Sequence, residues 1–175
     1  MKVTLIRHTS VDVPKGICYG QTDVPLTETF EQEAAVTSQK LKAYSFDKVF
    51  VSPLSRCVKL ADYCGHTDAT RDDRLKEINF GDWEMQMFEE IQDPRLQEWF
   101  NDYFHVPATG GESFEMQFER VAAFLNELRL QKYDHVALFA HGGVLICAQM
   151  YAGLLKPEEA FGALTPYGGV IQIEI

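Results

Sequence analysis

The segment His135-Val136-Ala137-Leu138-Phe139-Ala140 leads directly into His141-Gly142-Gly143 and then into a mainly apolar stretch that reaches Leu154. An almost wholly apolar run of this length is typical of a buried strand, whereas the stretch after the glycine pair has the length of a helix. The sequence therefore predicts a strand, a glycine turn and a helix in succession. Such units are characteristic of α/β folds with a parallel sheet.

Three further segments have the apolar composition of strands. They are Val3 to Ile6, Lys48 to Ser52, which is closed by Pro53, and Val170 to Ile175. Because helix-like segments alternate with them, the sequence predicts one α/β domain over residues 1–175. We expect a three-layer α/β/α sandwich around a mostly parallel central sheet.

The helix-like segments lie between these strands. A loop rich in turn-forming residues follows the first strand and reaches Leu26. The first predicted helix runs from Thr27 or Thr29 to about Tyr44, with Val36 and Leu41 facing inward, and a second helix lies around Ser55 to Tyr63. The segment from Phe88 to Phe104 is predicted to be helical in pieces. A further helix is predicted from the helical spacing of Phe114, Phe118, Val121, Ala122, Leu125 and Leu128.

Composition narrows the functional classes. The formal net charge of −10 argues against nucleic acid as a partner, because phosphate backbones select basic surfaces. No apolar run approaches the ~20 residues of a membrane helix, and neither a secretory signal nor a disulfide framework is evident in the sequence. We therefore expect a cytoplasmic protein with no membrane partner, and the sequence leaves monomer and homodimer open.

Chemically active residues follow the predicted strands. Arg7-His8, Ser52 to Arg56 and His141-Gly142-Gly143 each come directly after one. Since parallel sheets bind ligands at the carboxyl ends of their strands, we expect these segments to meet at one edge. Arginine forks and the free backbone N–H groups of a helix near Gly143 would form a pocket for a phosphate dianion.

A neutral imidazole facing such a pocket can attack phosphorus directly, without a metal or another cofactor. The product would be a phosphohistidine that water hydrolyses later. The leaving alkoxide needs a proton, and Glu77 is the candidate donor, because it lies beside apolar residues in a segment with a turn glycine. His8, His141 and Glu77 could also bind zinc, although the nearby arginines disfavour a cation.

Five motifs carry these residues in order along the chain: Leu5-Ile6-Arg7-His8-Thr9, Ser52-Pro53-Leu54-Ser55-Arg56-Cys57, Glu77 through Glu84, Gly111-Glu112-Ser113 and Ala140-His141-Gly142-Gly143. Together they resemble the motifs of the histidine phosphatase superfamily, which includes the cofactor-dependent phosphoglycerate mutases. The resemblance covers nearly the whole chain and implies a phosphoglycerate mutase-like fold.

The resemblance also implies roles for individual residues. His8 would be the nucleophile and Glu77 the proton donor, while Arg7, Arg56 and His141 would hold the phosphoryl group. Thr9 stands where the family has glycine, and its hydroxyl could still face the substrate. Gly142 would allow an oxyanion close to the backbone.

The substrate is indicated by the loop from Gly16 to Leu26, which resembles that of alpha-ribazole phosphatases of cobamide (vitamin B12) assembly. Gln21 in this loop is a candidate substrate contact. A broad sugar-phosphate phosphatase or a phosphoglycerate mutase-type enzyme is the alternative, and a non-catalytic phosphate-binding module is the alternative from another class.

Other conspicuous residues have simpler interpretations. His66, His105 and His135 are interpreted as structural or surface residues. The aromatic residues Trp99, Phe100, Tyr103 and Phe104 are interpreted mainly as packing, although they could roof the pocket.

Overall fold

The computed structural model describes the backbone of residues 1–175 and every side chain except that of Phe161. Its five-stranded sheet has the order β3-β2-β4-β1-β5, with all neighbours parallel except β1 and β5. The predicted mostly parallel α/β architecture is therefore confirmed. The strands are β1 (Lys2–Arg7), β2 (Lys48–Val51), β3 (Thr70–Arg71), β4 (His135–Ala140) and β5 (Val170–Glu174).

Helices cover both faces of this sheet. Short 3-10 turns occupy Asp73–Leu75, Gly81–Trp83, Phe88–Glu90 and Pro157–Ala163. Among the described residues no helix combines the length and apolarity required to cross a bilayer. The α-helices are α1 (Phe30–Leu41), α2 (Ser55–Tyr63), α3 (Arg95–Asn101), α4 (Phe114–Leu128) and α5 (Gly142–Tyr151).

Alternating side chains of the central strands build two separate cores. Leu5 and Leu138 point into the core formed with α4 and α5, whereas Ile6 and Phe139 point into the core formed with α1 and α2. This alternation follows from the two-residue period of a strand, and burial on both faces explains why the strands are almost wholly apolar. The carboxyl ends of β1 and β4 are in register, since Arg7 pairs with Ala140.

The elements differ from the sequence-based prediction at Val36, at the end of one helix and at β3. Val36 does not face inward but is 58% exposed, because α1 turns Ala34, Thr37 and Leu41 towards the core. The helix after the glycine pair ends at Tyr151 rather than Leu154, since Gly153 has a φ of 72°, a left-handed conformation typical of helix ends. The two-residue strand β3 was not predicted.

Candidate active site

A cavity of about 300 Å³ opens at the carboxyl ends of the parallel strands. One end of the cavity carries Arg7, His8 and Arg56, and we call this group, together with His141 behind it, the charged end. The opposite side is apolar. We call its rings the aromatic wall: Phe80, Phe88, Trp99 and Tyr103.

His8 directly follows β1, and only 3% of its surface is exposed. Its Nδ1 lies 2.7 Å from the carbonyl oxygen of Thr9. A carbonyl only accepts hydrogen bonds, so Nδ1 carries the proton and Nε2 keeps its lone pair. Burial, reinforced by the charges of Arg56 and Arg7 and opposed by the Thr9 bond, lowers the pKa of His8 to about 3. The imidazole is therefore neutral near neutral pH.

His141 occupies the N-cap position of α5, and its side chain is fully buried. Its ring lies edge-on to His8 with 5.2 Å between centroids, and its Nε2 lies 2.7 Å from Ser52 Oγ. Burial lowers the pKa of His141 well below its ordinary value, and Arg56 adds to this effect. The two histidines therefore converge, but His141 lies behind His8 and is not among the residues that line the cavity.

Arg56, in the first turn of α2, is fully buried yet lines the cavity. It donates to the carbonyl oxygens of Thr22 at 3.0 Å and Gly20 at 2.5 Å. The Glu84 carboxylate holds this loop, because it accepts from the N–H groups of Gly20 and Gln21, each at 2.9 Å, and from the Thr22 hydroxyl at 2.8 Å. Glu84 thus fixes the carbonyls that aim Arg56.

Arg7 approaches the cavity from the end of β1. It donates to the Thr165 carbonyl oxygen at 2.6 Å, and its guanidinium lies 4.0 Å from the centre of the Tyr167 ring. The Tyr167 hydroxyl lies 3.0 Å from that of Tyr19, whose ring faces Arg56 at 5.7 Å. The two tyrosines therefore bridge the two arginines. Sequence reasoning missed both tyrosines.

Both arginines keep their charge free of acidic partners. Among the described side chains, the ion pairs of arginine involve Arg74 and Arg120, not Arg7 or Arg56. The Nε atoms of Arg7 and Arg56 are buried and have no hydrogen-bond partner in the described part of the chain. The charged end is therefore a local concentration of positive charge in an acidic protein.

Glu77 lines the same cavity, from the loop between the first two 3-10 turns. Its Oε1 accepts from the Ile78 N–H at 3.0 Å and from Gln117 Nε2 at 2.8 Å, and its Oε2 accepts from the Gly143 N–H at 3.2 Å. Arg120 holds the loop by donating to the Glu77 carbonyl at 3.0 Å. The expectation of a free N–H group at Gly143 was therefore wrong, because the nearby carboxylate occupies it.

Glycine is required at position 143 for this contact. A Cβ atom there would lie 2.4 Å from Glu77 Oε1 and 2.8 Å from Gln117 Oε1. Such distances are far below van der Waals contact. Gly143, at the start of α5, therefore admits a carboxylate close to the backbone.

Three candidate residues lie outside the cavity lining. Gln21 turns its amide away and donates to the Glu77 carbonyl at 3.0 Å. Thr9 is fully buried, and its hydroxyl has no partner among the described residues. Gly142 is buried at the start of α5. Substrate contact by these three residues stays a prediction.

The aromatic wall rests on a core of its own. Trp99 packs edge-on to Trp83 with centroids 5.9 Å apart, and it stacks on Phe88 at 6.1 Å. Trp83 Nε1 donates to Asp93 at 2.8 Å. Of the predicted aromatic series, Trp99 and Tyr103 line the cavity, Phe100 is 57% exposed and Phe104 packs against the core of α4 and α5.

The remaining histidines lie outside the cavity. His135 pairs with the Thr4 hydroxyl at 2.8 Å, and His105 pairs with Asp102 at 2.9 Å. His66 packs against Phe46 and Phe139. In the described part of the chain no group of three or more His, Cys, Asp or Glu side chains is placed to hold a metal ion.

A comparison with protein families matches residues 3–175 to the histidine phosphatase superfamily, branch 1. The chain belongs to this superfamily. It is 28% identical to phosphoserine phosphatase 1 of Hydrogenobacter thermophilus, over 89% of this chain and 76% of that protein. It is 30% identical to the adenosylcobalamin/alpha-ribazole phosphatase of Escherichia coli, over 83% of this chain and 75% of that protein.

The solved structures include an alpha-ribazole phosphatase from Shigella flexneri. It matches with a TM-score of 0.85 and 27% identity, covering 100% of this chain and 91% of that chain. The expected phosphoglycerate mutase-like fold is confirmed by such neighbours. This histidine phosphatase is therefore an enzyme of the phosphatase class.

One motif of the histidine phosphatase supports the site without lining it. The Ser113 hydroxyl accepts from the Met116 N–H at 3.2 Å and caps α4. The Glu112 carboxylate accepts from Arg120 at 2.8 Å and from the Asn79 N–H at 2.9 Å. Gly111-Glu112-Ser113 therefore fixes the loop that carries Glu77.

Proposed function

We propose that this protein hydrolyses phosphomonoesters through a phosphoryl group carried on His8 Nε2. The observation that supports this most directly is the tautomer of His8: Nδ1–H is bound to the Thr9 carbonyl, while Nε2 keeps a lone pair beside Arg7 and Arg56. A neutral imidazole in fixed orientation is the form that can attack phosphorus.

Charge neutralisation supports the same proposal. Phosphoryl transfer requires mainly positioning and the stabilisation of negative charge on the phosphoryl oxygens. The guanidiniums of Arg7 and Arg56 are anchored by neutral carbonyls rather than by carboxylates, so their charges remain available to a dianion. Their Nε–H groups, which have no hydrogen-bond partner among the described residues, are donors that phosphoryl oxygens would satisfy.

The proposed reaction has two steps. In the first, the His8 lone pair forms the N–P bond, the P–O bond to the alcohol breaks, and Glu77 supplies the proton that the leaving oxygen takes up. In the second, water attacks phosphorus, the N–P bond breaks, and the Glu77 carboxylate accepts a proton from that water. After the second step the enzyme is back in its starting state, and the products are the free alcohol and inorganic phosphate.

We propose alpha-ribazole 5′-phosphate, an intermediate of cobamide assembly, as the substrate. Relatives named for this activity support the proposal, as does a cavity whose wall is aromatic and suits an aromatic base. Among the described residues that line the cavity, the only arginines or lysines are Arg7 and Arg56, which serve the phosphate. Phosphoserine and phosphoglycerate carry a carboxylate for which no further cation is present there.

The test compares alpha-ribazole 5′-phosphate with phosphoserine and 3-phosphoglycerate at equal enzyme concentration. We expect kcat/KM to be at least about tenfold higher for the ribazole ester, with release of inorganic phosphate and no need for a bisphosphoglycerate primer. Acid-quenched enzyme labelled from ³²P substrate should hold an acid-labile, base-stable phosphate. A preference for phosphoserine would refute the substrate, and rapid turnover without labelled enzyme would refute the intermediate.

A further inference from the structure

Gln117 is a polar residue on the apolar face of α4. It is fully buried, in line with Phe114, Val121, Leu125 and Leu128, which build the core on that face. Unlike Val121, Leu125 and Leu128, it reaches the cavity, where it lies beside Glu77. A polar side chain at a core position needs a hydrogen-bonding reason to be there.

The two oxygens of the Glu77 carboxylate accept different numbers of hydrogen bonds, and the contact with Gln117 contributes to this difference. Oε1 accepts two hydrogen bonds, from Gln117 Nε2 at 2.8 Å and from the Ile78 N–H at 3.0 Å. Oε2 accepts one longer bond, from the Gly143 N–H at 3.2 Å. A carboxylate oxygen has two lone pairs in its plane, so both are occupied on Oε1 and one is open on Oε2.

We propose that Gln117 is a positioning residue that keeps the transferable proton of Glu77 on Oε2. The inference rests on the proposed function, because it assumes that Glu77 is the acid. With Oε1 occupied by two donors, a proton can bind only at Oε2. It then passes to the leaving alcohol oxygen as the P–O bond breaks, which returns Glu77 to the carboxylate.

Packing alone does not account for Gln117. Its Oε1 is buried and has no hydrogen-bond partner among the described residues. A buried acceptor without a partner costs stability, and methionine would fill the same space without that cost. The amide is therefore explained by the donor that it presents to Glu77.

The test uses two substrates that differ in their need for an acid. The 4-nitrophenolate of 4-nitrophenyl phosphate leaves without a proton, whereas the alkoxide of benzyl phosphate requires one. We expect Gln117→Met to lower kcat/KM about tenfold or more for benzyl phosphate and less than about threefold for 4-nitrophenyl phosphate. The melting temperature should not fall. The matched control is Gln149→Met on α5, which should change neither rate by more than about twofold, because among the described residues the Gln149 side chain donates only to the Leu145 carbonyl.

Glu77→Gln is measured in parallel and separates the two proposals. If it slows benzyl phosphate selectively while Gln117→Met slows both substrates equally or neither, the role of Gln117 is refuted and the acid assignment stands. If Glu77→Gln shows no selectivity, the acid assignment fails, and the role of Gln117 fails with it. Selective loss in both variants supports the inference.

Discussion

The charged end and the aromatic wall share one cavity but are built in different ways. Arg7 is the last residue of β1, and His8 and His141 directly follow β1 and β4, two neighbouring strands in register. The wall comes from residues in or next to 3-10 turns and the short helix α3, outside the sheet, and packs on a small core of its own around Trp83. In the proposed function, phosphate chemistry is thus assigned to the centre of the fold and selection of the alcohol to a peripheral segment.

This difference predicts that substitutions in the charged end lower kcat much more than they weaken phosphate binding. We expect His8→Ala to lower kcat by roughly 10⁴-fold or more, since His8 is the only histidine among the described residues that line the cavity. Binding of inorganic phosphate should weaken by no more than about tenfold, because Arg7 and Arg56 remain. Steady-state kinetics and calorimetry measure the two effects.

The control for this loss is His105→Asn, which changes an exposed histidine that pairs with Asp102 outside the cavity. It should retain full activity. Turnover by His8→Ala within tenfold of the unchanged protein would show that His8 is not the nucleophile. A module that only binds phosphate would have no turnover to lose.

The aromatic wall should act on selectivity rather than on chemistry. Trp99→Leu removes part of a large ring from the cavity, and we expect KM for an aromatic phosphomonoester to rise about tenfold. Glycerol phosphate should be hydrolysed within about twofold of the original rate, because it does not reach the wall.

Phe100→Leu is the matched control, since Phe100 is a neighbouring ring that lines an outer groove but not the main cavity. Phe100→Leu should change the KM for the aromatic phosphomonoester and the KM for glycerol phosphate by less than about twofold each. Equal losses on both substrates in Trp99→Leu would mean that the wall supports the charged end, and the distinction between the two regions would fail.

The smallest effect concerns stability in acid. The pKa of His8 is about 3 in the folded chain and near 6.5 when unfolded. Below pH 6.5 the unfolded chain binds a proton that the folded chain excludes, so the free energy of unfolding falls as the pH drops towards 3. Each such histidine should cost about 1 kcal/mol between pH 7 and 5.5, and His141 acts in the same direction.

Urea titrations at the two pH values test this effect. His8→Gln should lose less stability than the unchanged protein over this interval, by about 1 kcal/mol. An identical loss in both proteins would show that His8 is not buried in its neutral form.

The sequence predicted that the side chains of the charged end would meet at one edge of the sheet, because two strong signals coincide there. Apolar runs mark the strands, and reactive side chains follow them directly, as in Arg7-His8 and His141. The bridging tyrosines Tyr19 and Tyr167 escaped prediction, because no periodicity links loop residues that are far apart in the chain.

Gln117 was missed although the sequence carries a signal for it. The inward face of α4 includes position 117, and a polar residue there interrupts the apolar spacing from Phe114 to Val121. Phe118, assigned to this face from the sequence, is only half-buried. Val36 was misplaced for the related reason that α1 buries small and polar residues, which blurs the helical period.

Glu84 affects the charged end only indirectly, and this matters for the interpretation of sequence variation at position 84. Its carboxylate never faces the cavity, yet it sets the backbone on which the Arg56 guanidinium depends. Purifying selection at position 84 would therefore look like selection for chemistry, although the side chain acts by holding the loop that positions Arg56. A mutational scan that ranks positions by lost activity would group Glu84 with residues that touch phosphate, and only a structure separates the two.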